Sequence, residues 1–597
     1  MTIINKSGIA ANIIFLRKEL VRRGLYGFCI PYSDKYQKNY VPSSAFRLKW
    51  ISGFSGSDGI AIVLLKRSAL FVDGRYIQQA SIEVDPELFE QINITEQSPH
   101  QWLAAVLPYG VNFGYDPWLH TLNNIKQLRQ ACNIVGAQLI SCDINPIDTV
   151  WKDRPSFKEA PVIFHPINFS GRSSIKKRAD LSNIMILNKF DVTILSAPES
   201  VAWLLNLRGG DVPFTPVLLS FAFMYKDGSV DLFIDSKKLT PETISYLGKT
   251  VHIIDPDNFG KSIDRLNDKC VYLDPNTTPF WIINRLIKAR VHIEYGLDLC
   301  ALPRACKNSI ELDGMRHAHR RDGAVLVRFL AWLSETIENS EVTELSAAEM
   351  LDKYRVGGLY YQYPSFQTIS ATGSNSALPH YHVTELSNRP LVKGQLYLFD
   401  SGGQYLDGTT DVTRTIALGG AIGAEECRRF TQILNGHISL AMARFPKGTT
   451  GNQLDSLARQ FLWADGLDYD HGTGHGVGSY LGVHEGPHCI SKNSNIQALS
   501  PGMVVSNEPG YYKSGSYGIR IENLQIVCSW INQDDREYFK FEILTLVPID
   551  LTLIDKSLLS ATKIDWINSY HARIREELMP LLDTITAQWL ILATQPI

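Results

Sequence analysis

Residues 471–487 read HGTGHGVGSYLGVHEGP, a stretch rich in histidine and glycine. Glycine at four of its first eight positions lets the backbone turn tightly or approach a ligand. The Gly-x-Gly-x-x-Gly spacing and the preceding strand of a dinucleotide-binding loop are missing. Imidazole on a rigid turn is a common metal ligand, although a single buried histidine is more often only hydrogen-bonded within a core. His475 therefore becomes informative through its neighbours.

Aspartates follow apolar runs upstream of this stretch. Residues 396–400, LYLFD, predict a buried strand that ends in Asp400, and residues 410–415 predict a second strand after Gly402 and Gly403. A hairpin would bring Asp400 and Asp411 together. Either aspartate alone could be a turn residue beside glycine. Two carboxylates at the buried ends of adjacent strands, however, repel each other unless a cation lies between them.

Two glutamates downstream complete the pattern. Residues 503–510, MVVSNEPG, predict an apolar strand that ends at Glu508 before a Pro-Gly turn. In GIRIEN, residues 518–523, Arg520 and Glu522 alternate with isoleucines and would share one strand face, which in isolation could be a solvated face. Together the two aspartates, the histidine and the two glutamates supply enough ligands to bridge two divalent ions about 3.5–4 Å apart.

Composition excludes several classes of protein. The 597 residues carry 58 basic and 61 acidic side chains, a net charge of −3, so there is no electrostatic signature of binding to nucleic acid or an anionic membrane. The longest nearly apolar run, residues 217–225, is far shorter than the ~20 residues of a membrane span. Nine cysteines without a Cys-x-x-Cys pair suggest reduced thiols. We expect a soluble, cytoplasmic protein with no nucleic-acid or membrane partner.

The chain length suggests about three or four domains. Strand-like and helical patterns alternate to about residue 150 and again from about residue 161, without an aligned repeat. Asn308-Ser-Ile-Glu311 has capping-box spacing ahead of a long helical pattern. A strand is predicted over residues 541–547 and an amphipathic helix over residues 564–582. The predicted domains are residues 1–155, 156–306, 307–535 and 536–597.

The ordered set Asp400, Asp411, His475, Glu508 and Glu522, with His380 upstream, resembles the pita-bread metallopeptidases of the aminopeptidase P (Xaa-Pro aminopeptidase) family. GFSGSDG at 53–59, VDGRY at 72–76 and WKDRP at 151–155 resemble creatinase/prolidase N-terminal motifs, and FEILTLVPID resembles the family's C-terminal extension. The resemblance covers nearly the whole chain and best fits the long, three-domain cytosolic form. It implies an α/β and α+β multidomain fold: two creatinase/prolidase-type α/β domains, a pita-bread catalytic domain and a C-terminal extension packed on it.

The resemblance also implies roles for individual residues. Asp400 would bind one metal, His475 and Glu508 the other, and Asp411 and Glu522 would bridge both, with a hydroxide between the ions as nucleophile. Glu508 would also be the proton shuttle. Roles are implied for four residues around the ligands: His380 and His484 at the substrate carbonyl and the scissile region, His471 beside the metal ligands or in the substrate pocket, and Arg520 orienting carboxylates. Manganese is implied, and a carboxylate-rich site leaves zinc and cobalt open.

The implied activity is removal of the N-terminal residue from peptides with proline at the second position, by a homodimer. Two alternatives remain: a prolidase acting on dipeptides with the same metal site, and a noncatalytic scaffold of the same fold, which the intact ligand set disfavours. Tyr511 and Tyr512 could pack near the proline ring or could equally be core residues. His382 and His488 are expected to be solvent-exposed loop histidines.

Overall fold

A computed structural model describes residues 6–37, 40–157, 159–493, 495–531 and 536–597. The chain divides into two compact units, the first comprising Met1–Pro166 and Arg172–Ala301 and the second Ile167–Gly171 and Leu302–Ile597. None of the described helices has both the length and the apolar character needed to cross a bilayer.

Strands and helices alternate through the first half of the chain. The strands are β1 Gly27–Pro31, β2 Ile60–Leu64, β3 Ser68–Val72, β4 Glu90–Asn93, β5 Asn112–Tyr115, β6 Gln138–Ser141, β7 Ile163–Phe164, β8 Val192–Leu195, β9 Leu207–Arg208, β10 Phe221–Tyr225, β11 Val230–Phe233, β12 Val251–Ile254, β13 Cys270–Leu273 and β14 His292–Tyr295. The helices are α1 Lys6–Arg22, α2 Arg47–Ser52, α3 Ile77–Glu83, α4 Pro99–Val106, α5 Leu122–Ile134, α6 Pro146–Val150, α7 Ile167–Ser170 (which belongs to the second unit), α8 Ser174–Leu187, α9 Pro198–Leu205, α10 Pro241–Leu247, α11 Phe259–Asp264, α12 Phe280–Lys288 and α13 Ala301–Ala305.

The first unit contains two six-stranded sheets of the same topology. One has the order β4-β3-β2-β1-β5-β6 and the other the order β12-β11-β10-β8-β13-β14. In each sheet the third strand of this order, β2 or β10, is antiparallel to both of its neighbours, and the other three pairings are parallel. The repeat that is not visible in the sequence is therefore present in the strand order.

One hydrophobic core joins these two sheets. It contains buried side chains of β2, β3 and β5 together with those of β8, β10 and β13. The ring of Tyr36 lies 4.7 Å from that of Phe221, and Trp118 stacks on Trp281 at 4.2 Å between ring centroids. Aromatic pairs at such distances add to the area that they bury.

The second unit is mixed. Its strands are β15 Tyr361–Pro364, β16 Ile369–Thr372, β17 Leu396–Ser401, β18 Gly403–Tyr405, β19 Gly408–Thr409, β20 Val412–Ala417, β21 Arg444–Pro446, β22 Gly474–His475, β23 Cys489–Ile490, β24 Val504–Asn507, β25 Gly510–Lys513, β26 Tyr517–Arg520, β27 Asn523–Ile531 and β28 Glu537–Ile543. Its further helices are α14 Ser309–Asn339, α15 Glu344–Arg355, α16 Ala424–Ala441, α17 Gly451–Trp463, α18 Ala561–Leu578 and α19 Thr584–Ala593.

The long helix predicted after residue 308 is α14, and its start has the predicted capping box. Asn308 Oδ1 accepts the amides of Ile310 and Glu311 at 3.0 and 3.1 Å, and Glu311 accepts the Asn308 amide at 3.1 Å. These bonds satisfy amides that the first turn of a helix leaves without a partner.

Two predictions near the C-terminus need correction. The strand expected over residues 541–547 begins earlier and ends at Ile543, because the Leu524 amide of β27 donates to the Thr545 hydroxyl instead of a backbone carbonyl and the Val547 carbonyl accepts from the buried Arg414. The helix expected over residues 564–582 ends at Leu578, since Pro580 cannot continue it, and a separate helix, α19, follows. The predicted domain boundary at residue 535 lies outside the described residues.

Candidate metal centre

Two antiparallel strands carry the predicted aspartates. In the β17–β20 pair Asp400 lies opposite Thr413, and Asp411 comes directly before β20. Both aspartates are buried. The short strands β18 and β19 form the connection between them. The pairing places one aspartate near the end of β17 and the other directly before β20, as the hairpin interpretation requires.

Three of the five predicted ligands form one tight group. A ligand atom of each of Asp411, His475 and Glu522 lies within 4.8 Å of the other two. Glu522 is held to β20 twice: its amide donates to the Thr413 carbonyl at 3.1 Å, and the Thr413 hydroxyl donates to its carboxylate at 2.9 Å. His475 Nε2 lies 3.5 Å from Asp411 Oδ2 and also 3.5 Å from Glu508 Oε1.

A glycine allows His475 to approach β24. A Cβ atom on Gly474 would lie 2.0 Å from the Ser506 carbonyl oxygen, a distance that no side chain tolerates. The His475 amide donates to Ser506 Oγ at 2.9 Å, and the Glu508 amide donates to the Thr473 carbonyl at 2.8 Å. The glycine-rich stretch thus brings the histidine beside the glutamate at the end of the next strand.

Arg520 organises the opposite side of the cluster. Its Nη2 donates to Asp400 Oδ2 at 2.7 Å, its Nη1 to the Tyr512 hydroxyl at 2.7 Å, and its Nε to Thr413 Oγ1 at 3.0 Å. Arg520 and Glu522 are both buried, so the alternative of a solvated sheet face is excluded. Asp400 Oδ1 is buried and has no hydrogen-bond partner among the described residues.

Crowding shifts the pKa values of these groups. Burial raises the pKa of Asp411 well above its ordinary value, and the carboxylates of Asp400 and Glu508 raise it further. Burial likewise raises the pKa of Glu522, with Asp411 and Asp400 adding to the effect, and burial raises that of Glu508. Although burial opposes it, Tyr512, Asp400 and Glu508 hold the pKa of Arg520 well above its usual range. The positive charge that the protein places beside these carboxylates is therefore too small to balance them.

The residues present fit a pair of divalent cations. Four carboxylates and one imidazole lie together, and Arg520 contacts them through Asp400. Among these six side chains, Arg520 carries the only guanidinium, so negative charge is in excess. The unpartnered oxygen of Asp400 is the acceptor that a cation would satisfy. Such a donor set suits hard or borderline divalent ions, which can polarise a carbonyl and lower the pKa of water.

The predicted substrate histidines surround this cluster. The ring of His484 is exposed and lies 4.3 Å from that of His475, edge to face. His471 Nε2 lies 2.9 Å from the Tyr512 hydroxyl. His380 is partly buried and follows Pro379, whose carbonyl accepts from Arg520 Nη1 at 3.3 Å. The chain therefore brings segments that carry all three histidines close to the carboxylates.

His382 is exposed, as expected, but the expectation for His488 is wrong. His488 is buried, its Nε2 lies 2.8 Å from the Val504 carbonyl, and burial lowers its pKa to about 3. The reason is that β23 begins at Cys489, directly after His488, and pairs with β22. This pairing packs the His488 ring against Gly476.

Sequence reasoning also missed residues that support the site. Glu485, next to His484, is buried and pairs with Lys307 Nζ at 2.6 Å and Arg304 Nε at 3.1 Å. The signal was present, because Glu485 belongs to the VHEGP string. Its basic partners lie some 180 residues earlier in the chain, and no local pattern joins them. Tyr512 bridges Arg520 and His471 and is thus more than a core residue.

Comparison with known proteins agrees with this architecture. The family model of metallopeptidase family M24 matches residues 313–528, and the model of the C-terminal region of M24 peptidases matches residues 537–597. Two family models of the creatinase/prolidase N-terminal domain match residues 15–149 and 153–311.

Relatives match over nearly the whole length. Proteins from Aspergillus fumigatus and Tuber melanosporum, both named probable Xaa-Pro aminopeptidase P, are 38% identical to this chain over 98% of its length. The aligned regions cover 92% of the Aspergillus protein and 98% of the Tuber protein. The crystal structure of an X-prolyl aminopeptidase from Caenorhabditis elegans, described as a cytosolic enzyme with a di-nuclear active site, superposes with a TM-score of 0.95 at 34% identity, covering 99% of this chain and all of that one.

The fold and the carboxylate cluster are those of a metallopeptidase, with creatinase-type N-terminal domains before a pita-bread domain, as the sequence predicted. The chain belongs to metallopeptidase family M24, within its Xaa-Pro aminopeptidase P group. The resemblance drawn from five ligands and their local strings is confirmed.

Proposed function

We propose that this chain is an aminopeptidase that hydrolyses the bond before proline when proline is the second residue of a peptide. The observation that carries this proposal is the cluster of four carboxylates, three of them buried, with too little positive charge beside them, in a chain that matches Xaa-Pro aminopeptidases along nearly its full length.

Five side chains would hold two divalent cations. Asp400 would bind one, His475 and Glu508 the other, and Asp411 and Glu522 both. Bound there, the cations would lower the pKa of a water molecule towards neutrality and stabilise negative charge on the substrate carbonyl oxygen. The carboxylate-rich set favours Mn²⁺, and Zn²⁺ or Co²⁺ would fit the same ligands.

The protein's own groups would then move protons and orient the peptide. Glu508, whose Oε1 accepts from Ser506 Oγ at 3.3 Å, would take the proton of the attacking water and deliver it to the proline nitrogen. His380 and His484 would bind the substrate around the scissile carbonyl, and His471 would line the pocket beside Tyr512. Arg520 would keep the Asp400 carboxylate in place.

Proline specificity follows from the chemistry of the bond. The proline nitrogen carries no hydrogen, so a peptidase that grips the scissile N–H cannot process it. Hydrolysis by water at the carbonyl carbon does not need that hydrogen. Tyr512 lies close to Arg520 and His471, where an aromatic ring could pack on proline.

Further proposals concern assembly and location. A homodimer, a cytoplasmic location and the division into residues 1–155, 156–306, 307–535 and 536–597 remain predictions. Symmetric two-fold association is the commonest oligomeric form and would give the N-terminal half a role other than catalysis. Sedimentation that shows only a species of 67.0 kDa, the mass of one chain, at micromolar concentration would exclude the homodimer.

The decisive experiment compares three peptides at matched concentration, together with metal analysis of the purified protein. Arg-Pro-Pro should be cleaved to arginine and Pro-Pro. Preferential cleavage of Gly-Pro would indicate a prolidase, and equal cleavage of Arg-Ala-Ala would end the claim of proline specificity. No cleavage of any of the three with manganese present would favour a noncatalytic scaffold.

A further inference from the structure

One buried glutamate, Glu344, binds both ends of the loop of residues 373–389, which contains His380. Glu344 lies at the start of α15 and is completely buried. Its Oε1 accepts the amide of Thr372, the last residue of β16, at 2.8 Å. Its Oε2 accepts the amide of Arg389 at 3.1 Å. A single carboxylate thus closes the loop at its base.

The same carboxylate also binds the interior of the loop. Asn375 Nδ2 donates to Oε1 at 3.1 Å and Oε2 at 3.0 Å, and the Tyr381 hydroxyl donates to Oε2 at 3.0 Å. These partners are all hydrogen-bond donors, and such charge-assisted bonds offset part of the cost of burying the negative charge, although burial still raises the pKa of Glu344. The position in the first turn of α15 adds a favourable helix-dipole interaction.

This loop lies against the carboxylate cluster. β16 leads into it and pairs with β17, with Ile369 opposite Asp400. Within the loop, the Pro379 carbonyl accepts from Arg520 at 3.3 Å, and Ser376 Oγ accepts the Gly518 amide at 2.8 Å. His380 therefore lies between one residue bound to Arg520 and another, Tyr381, bound to Glu344.

We propose that Glu344 is a positioning residue: its carboxylate fixes the 373–389 loop and so holds His380 where it meets the peptide. This inference rests on the proposed aminopeptidase activity for its catalytic consequence. The hydrogen bonds of the Glu344 carboxylate go to Thr372, Asn375, Tyr381 and Arg389 and to no predicted metal ligand, so Glu344 acts through the loop.

Glu344→Gln tests the proposal with almost no change in shape. Gln keeps one acceptor oxygen but presents an NH₂ group to amides and a hydroxyl that must themselves donate, so buried donors lose their partner. Hydrogen exchange of the loop amides should become faster. The value of kcat/KM for Arg-Pro-Pro should fall by about 10²-fold, the loss expected when a reacting geometry shifts by about 1 Å, while metal content stays that of the wild type.

Glu349→Gln is the matched control, because Glu349 lies on the same helix and is exposed. It should leave loop exchange, metal content and kcat/KM unchanged. Unchanged loop exchange in Glu344→Gln, or loss of bound metal from that variant, would overturn the positioning role. The exchange measurement needs no turnover, so it remains decisive if the wild type fails to cleave Arg-Pro-Pro and the proposed function falls.

A double-mutant cycle separates positioning from a general loss of packing. If Glu344 acts through His380, adding Glu344→Gln to His380→Ala should lower kcat/KM no further than His380→Ala alone. Losses that multiply would show that Glu344 acts elsewhere. Should Glu344→Gln not fold, Tyr381→Phe removes one of the loop bonds and takes its place, with a smaller loss and the same dependence on His380.

Discussion

Two buried acidic sites of the second unit differ in how their charge is balanced. Asp322 on α14 faces Arg355: Nε donates to Oδ1 at 2.7 Å and Nη2 to Oδ2 at 3.2 Å. The hydroxyls of Tyr405 and Thr410 satisfy the same two oxygens at 2.9 and 2.8 Å. In the metal centre, by contrast, one oxygen of Asp400 lacks any partner among the described residues.

The pKa values move in opposite directions at the two sites. Although burial alone would raise it, the charge and hydrogen bonds of Arg355 hold the pKa of Asp322 below its ordinary value. Burial and neighbouring carboxylates raise the pKa of Asp411, one residue beyond Thr410. Burial of a carboxylate is therefore no sign of a metal site by itself. An excess of acceptors over protein cations is such a sign.

The largest expected effect is that of Asp411→Asn, which removes a predicted bridging carboxylate from the site with excess acceptors. Elemental analysis should find fewer than two ions per chain, and kcat/KM for Arg-Pro-Pro should fall by at least about 10³-fold, since the developing oxyanion loses its electrostatic support. Glu349→Gln serves as control. Full metal content with full activity in Asp411→Asn would disprove the bridging assignment.

The balanced pair should respond in stability instead. Arg355→Met leaves Asp322 buried without its cation and should lower the free energy of unfolding by about 3–5 kcal/mol. The double variant Asp322→Asn/Arg355→Met should recover part of that loss, because no buried charge remains unpaired. Denaturant unfolding of both variants measures the difference. Equal stability of the single and double variants would mean that charge pairing is not the cause.

His484 lies beside the metal centre without belonging to the predicted ligand set. His484→Ala should retain two ions per chain and lower kcat by about 10²-fold, the scale of losing one acid–base or oxyanion-binding group. Metal analysis and steady-state kinetics of one preparation give both values. If the variant lost metal, the imidazole would have to be counted among the ligands.

The last effects concern pH and metal removal. In metal-free protein the raised pKa values of Asp411 and Glu522 favour folding below the unfolded-state values near pH 4, and this contribution is lost as pH rises through the folded-state values. The lowered pKa of Asp322 acts in the other direction, with stability lost as pH falls.

Thermal unfolding of chelator-treated protein at several pH values tests this sign. Because Glu522→Gln removes one group with a raised pKa, the wild type should lose more stability than this variant as pH rises from about 4. Adding Mn²⁺ at 100 times its dissociation constant should restore about 2.7 kcal/mol per site. If metal-free wild type and metal-free Glu522→Gln showed the same change of stability with pH, the excess of negative charge at the site would be contradicted.

Local pattern made much of this molecule predictable. The predicted ligands Asp400 and Glu508 lie at or next to the ends of strands that apolar runs predicted, and the capping box predicted the start of α14. The burial of His488 and the interruption of the strand after Ile543 were not predictable. Both depend on partners far away in the chain: Val504 for the histidine and Arg414 for the strand.

The support around the site was hidden for the same reason. Glu344, Glu485 and Lys307 look like ordinary charged residues in the sequence, and each is buried only because distant segments provide its partners. Balanced and unbalanced carboxylates likewise look alike until their neighbours are known. The local sequence thus marks candidate ligands but not the residues that hold their segments in place.

The core shared by the two six-stranded sheets has a consequence for cooperativity. Tyr36 and Trp118 from the first sheet region are packed on Phe221 and Trp281 from the second, so melting either sheet strips apolar contacts from the other. The two sheets should therefore unfold in a single transition. A fragment cut near residue 155 would expose half of this aromatic layer to water and should aggregate rather than fold as an autonomous module.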